Sequence, residues 1–453
     1  MFSKSKKVVG TVLAAVMIAS AFAGCAPSGD SSSVASGSES AAPSATEIKA
    51  ITIDEAMKDA DVALGEEGKD SEVTLKVWAP SDAVDMFTKQ CKAFTDNFKD
   101  RKISIEVVAQ GEADAASALM NDPDAAADVF GFASDHASKL YPDKYVAKVR
   151  LNYAAAIKET NLQGAIDVAT YKTETDDQPY MYSYPETGDN GYVMFYNKSL
   201  ISAEEMGSME SIMKVCNDKD KNLVINMNNG FYSCIVPLTG EGTYSLDESR
   251  HQLLNYDYAK IGPVATAFSK LLANDSHYVN DDVDKVLASA LKNETALAGV
   301  VGTWKTKAIK NALGDNYAAC KLPTINVDGT DTQIKSMYGY KLVGINSKSK
   351  FPMTSQTLAY YLTSEACQKE RITELGWGPS ISTLVDSDAV KNDVALSAMY
   401  EQQKYSVPQT GLAGSFWDPT GAFGGYIVNK DKDLSDAGIK KAYDNMVENI
   451  TAQ

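Results

Sequence analysis

Four short stretches of this 453-residue chain set aromatic rings beside carboxylates or amides, the combination that holds a polar ligand with an apolar face. They are WAPSD (Trp78 to Asp82), FASDH (Phe132 to His136), NNGFYSCIVPL with Phe231 and Tyr232, and SFWDPTGAFGGY with Phe416, Trp417 and Asp418. A fifth, VVGTWK, puts Trp304 at the start of a helical pattern. Rings cover apolar surface, at ~25 cal/mol per Å² over some ~150–250 Å² each, while acids and amides bond polar rims. Trp304 and Trp417 stand where a loop turns into a helix, so both are expected to face a ligand, with Phe416 anchored in the core. Phe231 and Tyr232 are adjacent and would point apart on a regular element, which leaves one of them for the core. Asp135 is read as a ligand acid, and Asp82 either as a second one or as a helix cap. Trp78 either packs beneath a sheet edge or faces the ligand, Trp377 is expected to be structural, and Tyr184 and Tyr192 border YPETGDN and could line the same cleft.

This is binding chemistry rather than bond breaking. His136, His251 and His277 lie far apart with no HExxH spacing, so no zinc site is expected, and GxSxG, Walker and GxGxxG motifs are missing. DKDKN (218–222) starts like a calcium loop, but Leu223 stands where Gly is needed; NKDKDL (429–434) fails in the same way. Neither metal nor cofactor is expected. Glu186 and Asp189 in YPETGDN are the nearest approach to a glycosidase pair, a weak signal in a chain with 60 acids.

The elements that position these residues alternate. Val73, Leu75 and Val77 mark a strand over 72–78; Val84, Phe87, Cys91, Phe94 and Phe98 mark one face of the following helix, capped by Ser81 or Asp82. Ile103, Ile105 and Val107 give a second strand, ADAASALM a helical piece and ADVFGF a third strand, hence βαβαβ with parallel strands. Ligands meet such sheets at the carboxyl ends of the strands, where WAPSD and FASDH lie. GYVMFYNKSL and LVINM are two further strands, the second followed by NNGFYSCIVPL as a loop. YGYKLVGINS is another strand, TSQTLAYYLTSEACQKERITEL a helical pair, and the chain beyond Asp388 is mostly helical.

The N-terminus bounds the setting. MFSKSKK followed by VVGTVLAAVMIASAFAG reads as a signal peptide over 1–24. AFAGC resembles a bacterial lipobox, with Phe22 in the usual leucine position, and marks Cys25 for lipid attachment at the outer face of a Gram-positive-type membrane. Ser, Ala, Gly and Pro dominate the residues after Cys25, which read as a tether, and the acidic stretch 47–70 reads as an extension of it that could form a loose helix. Loss of the three lysines in 1–24 takes the formal charge from −17 to −20, which repels nucleic acid and anionic lipid. Cysteines 91, 216, 234, 320 and 367 are odd in number with no CxxC and are expected as free thiols. Some ~380 remaining residues imply two domains.

In chain order, WAPSD, ADVFGFASDHASKLY, GYVMFYNKSL, VVGTWK, PTI with VGINS, SEACQKERITELGWGPSIST and SFWDPTGAFGGYIVN resemble the solute-binding proteins of carbohydrate ABC importers, in their maltose and maltodextrin branch. The resemblance runs from Glu72 to the C-terminus. It implies an α/β, two-lobed fold of the periplasmic-binding type with discontinuous lobes, 71–187 plus 340–388 and 188–339 plus 389–453, and a sugar held in the interlobe cleft. It also implies a monomer that delivers malto-oligosaccharide to permease subunits. By the same resemblance, Trp304 and Trp417 match rings that stack on glucose, Phe231 and Tyr232 match an aromatic pair on that lobe, and Asp135 and Asp82 match acids that bond sugar hydroxyls. Phe132 stands where maltose binders often carry tryptophan, Ala83 where a lysine is common, and Asn190 or Asp189 near a family glutamate.

Overall fold

The computed structural model describes residues 48–247 and 250–452. The expected signal peptide, Cys25 and the Ser-rich part of the tether lie outside the described residues. Val73–Ala79 is a strand, pairing in parallel with Ile103–Ala109 on one side and Val129–Ala133 on the other. Its alternate residues Val73, Leu75, Val77 and Ala79 are buried, as a strand with one face on a core requires.

Two long strands form the middle of a ten-stranded mixed sheet. Every residue of Tyr184–Asn197 is buried. Its first half pairs antiparallel with Ser336–Ile345, from Tyr184 opposite Val343 to Gly191 opposite Tyr338. Its second half pairs with Ala296–Gly302 and Tyr317–Cys320. Ser336–Ile345 in turn pairs with Val129–Ala133, so the two strands join both ends of the sheet. The buried apolar residues divide accordingly. One cluster runs from Ala56 to Tyr184 and from Tyr340 to Trp377, the other from Tyr192 to Met337 and from Ala395 to Ile450. A small third cluster holds Ile381, Leu384 and Val390.

Several expectations are corrected. The acidic stretch 47–70 is no mere tether, since Ile53–Glu67 is a helix started by a capping box, Thr52 Oγ1 accepting from Glu55 N while the Glu55 carboxylate accepts from Thr52 N. Ala56, Ala60, Ala63 and Leu64 bury one stripe of it. Glu67 accepts the Met353 and Thr354 N–H groups at 2.8 and 3.0 Å, satisfying donors that open the helix Pro352–Leu362. NNGFYSCIVPL is not a loop but the short helices Gly230–Ser233 and Ile235–Thr239. Neither Ser81 nor Asp82 caps the helix Val84–Thr95, whose N-cap is Ala83.

Phe132 and Tyr184, expected at the ligand, belong to the first core instead, and Trp78 takes its packing alternative, half-buried against that core. Phe132 lies inside the strand Val129–Ala133, is 0% exposed, and packs 5.7 Å from Phe130 and 6.3 Å from Tyr141. Tyr184 is 0% exposed, and its hydroxyl donates to Gln356. Trp78, also within a strand, turns its ring edge-on to Phe130 at 6.2 Å. In each case strand geometry points the side chain into the sheet's packing layer.

Candidate functional site

A cavity of about 1420 Å³ opens between the carboxyl ends of the first three strands and the segments of the second core. The first side supplies Asp82 after Val73–Ala79, Gln110, Glu112 and Asp114 after Ile103–Ala109, and Asp135 and His136 after Val129–Ala133. This is the location that parallel sheets give to ligands, because the loops there are free of strand pairing. Facing them are Phe231 and Tyr232 on the short helix after Asn222–Val224, Trp304 after Ala296–Gly302, and Trp417 and Asp418 opening the helix Trp417–Ile427. Asn190, Asp284, Lys341, Trp377 and Gln409 also line it.

The aromatic wall is continuous. The Phe231 ring lies 6.0 Å from Trp304 and 6.2 Å from Trp417, and its own back meets Tyr192 edge-on at 4.9 Å. Trp304 donates its indole N–H to Asp284 at 2.6 Å, and the Tyr232 hydroxyl donates to the other oxygen of that carboxylate at 3.0 Å. Trp417 is half-buried, while its neighbour Phe416 is 0% exposed and meets it edge-on at 5.2 Å. The helix behind Trp417 sits unusually close to Gly230–Ser233. A Cβ on Gly421 would lie 2.3 Å from the Asn228 carbonyl oxygen, and one on Gly424 would lie 2.4 Å from that of Met227. The glycines of SFWDPTGAFGGY therefore serve helix packing inside Trp417–Ile427 and do not form a turn.

The polar wall and floor carry charge. Lys341, 6% exposed, pairs with Glu112 at 2.8 Å and stands 5.0 Å from the Trp377 ring centroid and 5.4 Å from that of Trp304. Burial works to lower its pKa, but Glu112, Asp189 and Glu186 outweigh burial and raise it, so the ammonium stays charged. Beneath it, burial pushes Glu186 up to about 7 against the pull of Arg371. The nearest Arg371 nitrogen is 3.6 Å away, and the guanidinium donates to Gln90 and to the Leu362 carbonyl. Asp189 is likewise raised by burial, partly offset by Lys341 and by the Gly378 N–H that it accepts at 2.7 Å. Asp135, its side chain 8% exposed, lies 3.6 Å from His136 Nε2. Glu112 Oε1 and His136 Nδ1 are buried without a hydrogen-bond partner, an arrangement suited to ligand hydroxyls.

Of the residues singled out from sequence, the structure brings Trp304, Trp417, Phe231, Tyr232, Asp82, Asp135 and Asn190 to one cavity and leaves Phe132, Trp78 and Tyr184 out of its lining. Tyr232 is 1% exposed, and Asn190 donates to Gln409 at 2.9 Å. Sequence reasoning missed Glu112, Asp284, Lys341 and Gln409; Trp377, expected to be structural, is buried in the first core and also borders the cavity. Glu112 follows the carboxyl end of a recognised strand, the same signal that found Asp82 and Asp135. Lys341 is a lone charge inside the apolar run YGYKLVGINS, a pattern that marks a buried charge with a partner.

Among the described residues, no group of acids, histidines and cysteines could hold a metal ion, and no helix is long and apolar enough to cross a membrane. The five described cysteines are free, and four of them are buried.

A galactooligosaccharide-binding protein of Bacillus subtilis (strain 168) is 25% identical over 273 residues, covering 57% of this chain and 63% of that relative. The solved maltodextrin-binding protein MalE1 of L. casei BL23 superposes with a TM-score of 0.70 at 22% identity, covering 84% of this chain and 100% of that one. The maltose-maltodextrin-binding protein of Alicyclobacillus acidocaldarius gives 0.68 at 18% identity, covering 83% of this chain and 99% of that one. These likenesses establish the two-lobed α/β fold. The bacterial extracellular solute-binding protein family matches residues 83–398, and the chain belongs to that family.

Proposed function

We propose that this protein captures α-1,4-linked gluco-oligosaccharides of the maltodextrin type in its cleft and passes them to the permease of an ABC importer, held at the outer membrane face by a lipid on Cys25. The observation that carries the reading is the row Trp304, Phe231 and Trp417 facing Asp82, Glu112 and Asp135 across about 1420 Å³. A pyranose has an apolar C–H face and a rim of hydroxyls, and this cleft offers rings to one and acids to the other. Half of a ring's area is worth ~2–3 kcal/mol at ~25 cal/mol per Å², so three rings and a few hydrogen bonds exceed the ~8 kcal/mol of micromolar binding. The surplus goes into ligand ordering and lobe closure.

Titration calorimetry with maltotriose, against xylo-, fructo- and galacto-oligosaccharides, tests the reading. Maltotriose is expected to bind, and Trp417→Ala to weaken it by ~2 kcal/mol or more. Silence toward every α-1,4-glucan would sink the assignment. A preference for galacto-oligosaccharide would favour the second reading, the same cleft serving another oligosaccharide, which the name of the Bacillus subtilis relative supports. A glycosidase using Glu186 and Asp189 finds no support. Glu186 is 1% exposed and Asp189 3%, and neither lines the cavity.

A further inference from the structure

We infer that Asp284 is a positioning residue, which fixes the Trp304 indole as a sugar platform by holding it and the Tyr232 hydroxyl on one carboxylate. The inference rests on the oligosaccharide reading of the cleft. Asp284 opens the helix Val283–Lys292, an element separate from those that carry the two rings. One oxygen accepts the indole N–H at 2.6 Å and the other the phenol O–H at 3.0 Å, so both are engaged by neighbouring side chains and neither is the natural partner of a ligand hydroxyl.

The need for such a hold is visible around Trp304. Its ring folds back over the end of its own strand, where a Cβ on Gly302 would lie 2.2 Å from it. On one side Phe231 is tilted against it at 6.0 Å, and on another the Lys341 ammonium stands 5.4 Å from its centroid. None of these neighbours sets the ring's rotation about its own bonds. A hydrogen bond to a fixed carboxylate oxygen does, because it is directional. Tyr232 is 1% exposed and fixes the second oxygen, so the carboxylate cannot swing away with the indole. The free protein therefore holds its platform ready, and binding need not order it.

The experiment has a ligand-free arm and a binding arm. In ¹⁵N-tryptophan-labelled protein, the Trp304 indole N–H resonance is identified by its loss in Trp304→Phe. In Asp284→Ala this resonance is expected to move upfield and to exchange faster with water. In the binding arm, Asp284→Ala is expected to raise the maltotriose Kd at least about fivefold, the loss expected for one ordinary hydrogen bond. Asp284→Asn, whose amide can accept from the indole and donate to Tyr232, is expected to stay within about twofold of wild type. Trp304→Phe keeps a ring without the donor, and adding Asp284→Ala to it is expected to change Kd no further. An unmoved Trp304 resonance, or losses that add in the double variant, would overturn the inference. Should Asp284→Ala fail to fold, Asp284→Ser, too short to reach the indole, gives the same two readouts. Failure of wild-type protein to bind maltotriose would refute the α-glucan reading alone, since the resonance arm judges Asp284 without sugar.

Discussion

Glu186 shows how a single buried residue behind the cleft bears on stability. Its carboxyl is 1% exposed, flanked by Arg371, Glu112, Lys341 and Asp189, and burial pushes it up to about 7 from an ordinary 4.5. Between those values the folded chain holds a proton that the unfolded chain has released. The stability from this group is therefore complete below about pH 4.5 and is lost as pH rises through 7. At ~1.4 kcal/mol per unit, the loss is on the order of 3–4 kcal/mol. Glutamine has no proton to give up, so Glu186→Gln is expected to gain on the wild type as pH rises. Urea midpoints for both proteins at pH 5 and pH 8 check this, and a difference that stays constant between the two would refute it. The same residue also shows what sequence alone leaves hidden about a carboxylate. YPETGDN has the composition of a loop, yet tertiary pairing on both sides makes it a fully buried strand.

At the scale of elements, the helix Trp417–Ile427 and the short helix Gly230–Ser233 present Trp417 and Phe231 as one surface, and their closeness depends on glycine. A Cβ on Gly424 would lie 2.3 Å from Ser233 Cβ and 2.4 Å from the Met227 carbonyl oxygen. Gly424→Ala is expected to force the two helices apart, costing ~1–3 kcal/mol of stability and weakening maltotriose binding as Phe231 shifts. A denaturation midpoint and a calorimetric Kd measure both, and wild-type values for the pair would show that the close approach is not needed. Regular elements with strong periodicity were legible in the sequence, among them the opening parallel strands and the helix carrying Phe87, Cys91 and Phe94. Loop-to-helix tryptophans were legible too, because Trp304 and Trp417 follow short 3₁₀ or strand segments that open onto the cavity. Short helices rich in Gly and Asn were not, since propensity argues against them and tertiary packing overrides it. The helix Ile53–Glu67 was legible only as a loose helix in a tether. Its alanine stripe is a weak hydrophobic signal among acids, and what fixes it is a capping box and the Glu67 contacts 286 and 287 residues away along the chain.

Across the whole molecule, two apolar cores share one sheet through Tyr184–Asn197 and Ser336–Ile345, and the cavity lies where the cores face each other. Its lining draws on both sides, with Asp82, Glu112 and Asp135 from one and Phe231, Trp304 and Trp417 from the other. A ligand that touches both sides binds the folded chain and has no comparable site in the unfolded one. Its binding energy therefore adds to folding stability by mass action, ~2.7 kcal/mol at a free concentration a hundred times Kd. Thermal unfolding of the protein with maltotriose at that excess is expected to shift upward, rising with the logarithm of sugar concentration. In Trp417→Ala the same concentration is expected to give a smaller shift, in proportion to the raised Kd. A wild-type midpoint that ignores maltotriose while calorimetry detects binding would mean that the sugar sits outside the cleft, on a surface that survives unfolding.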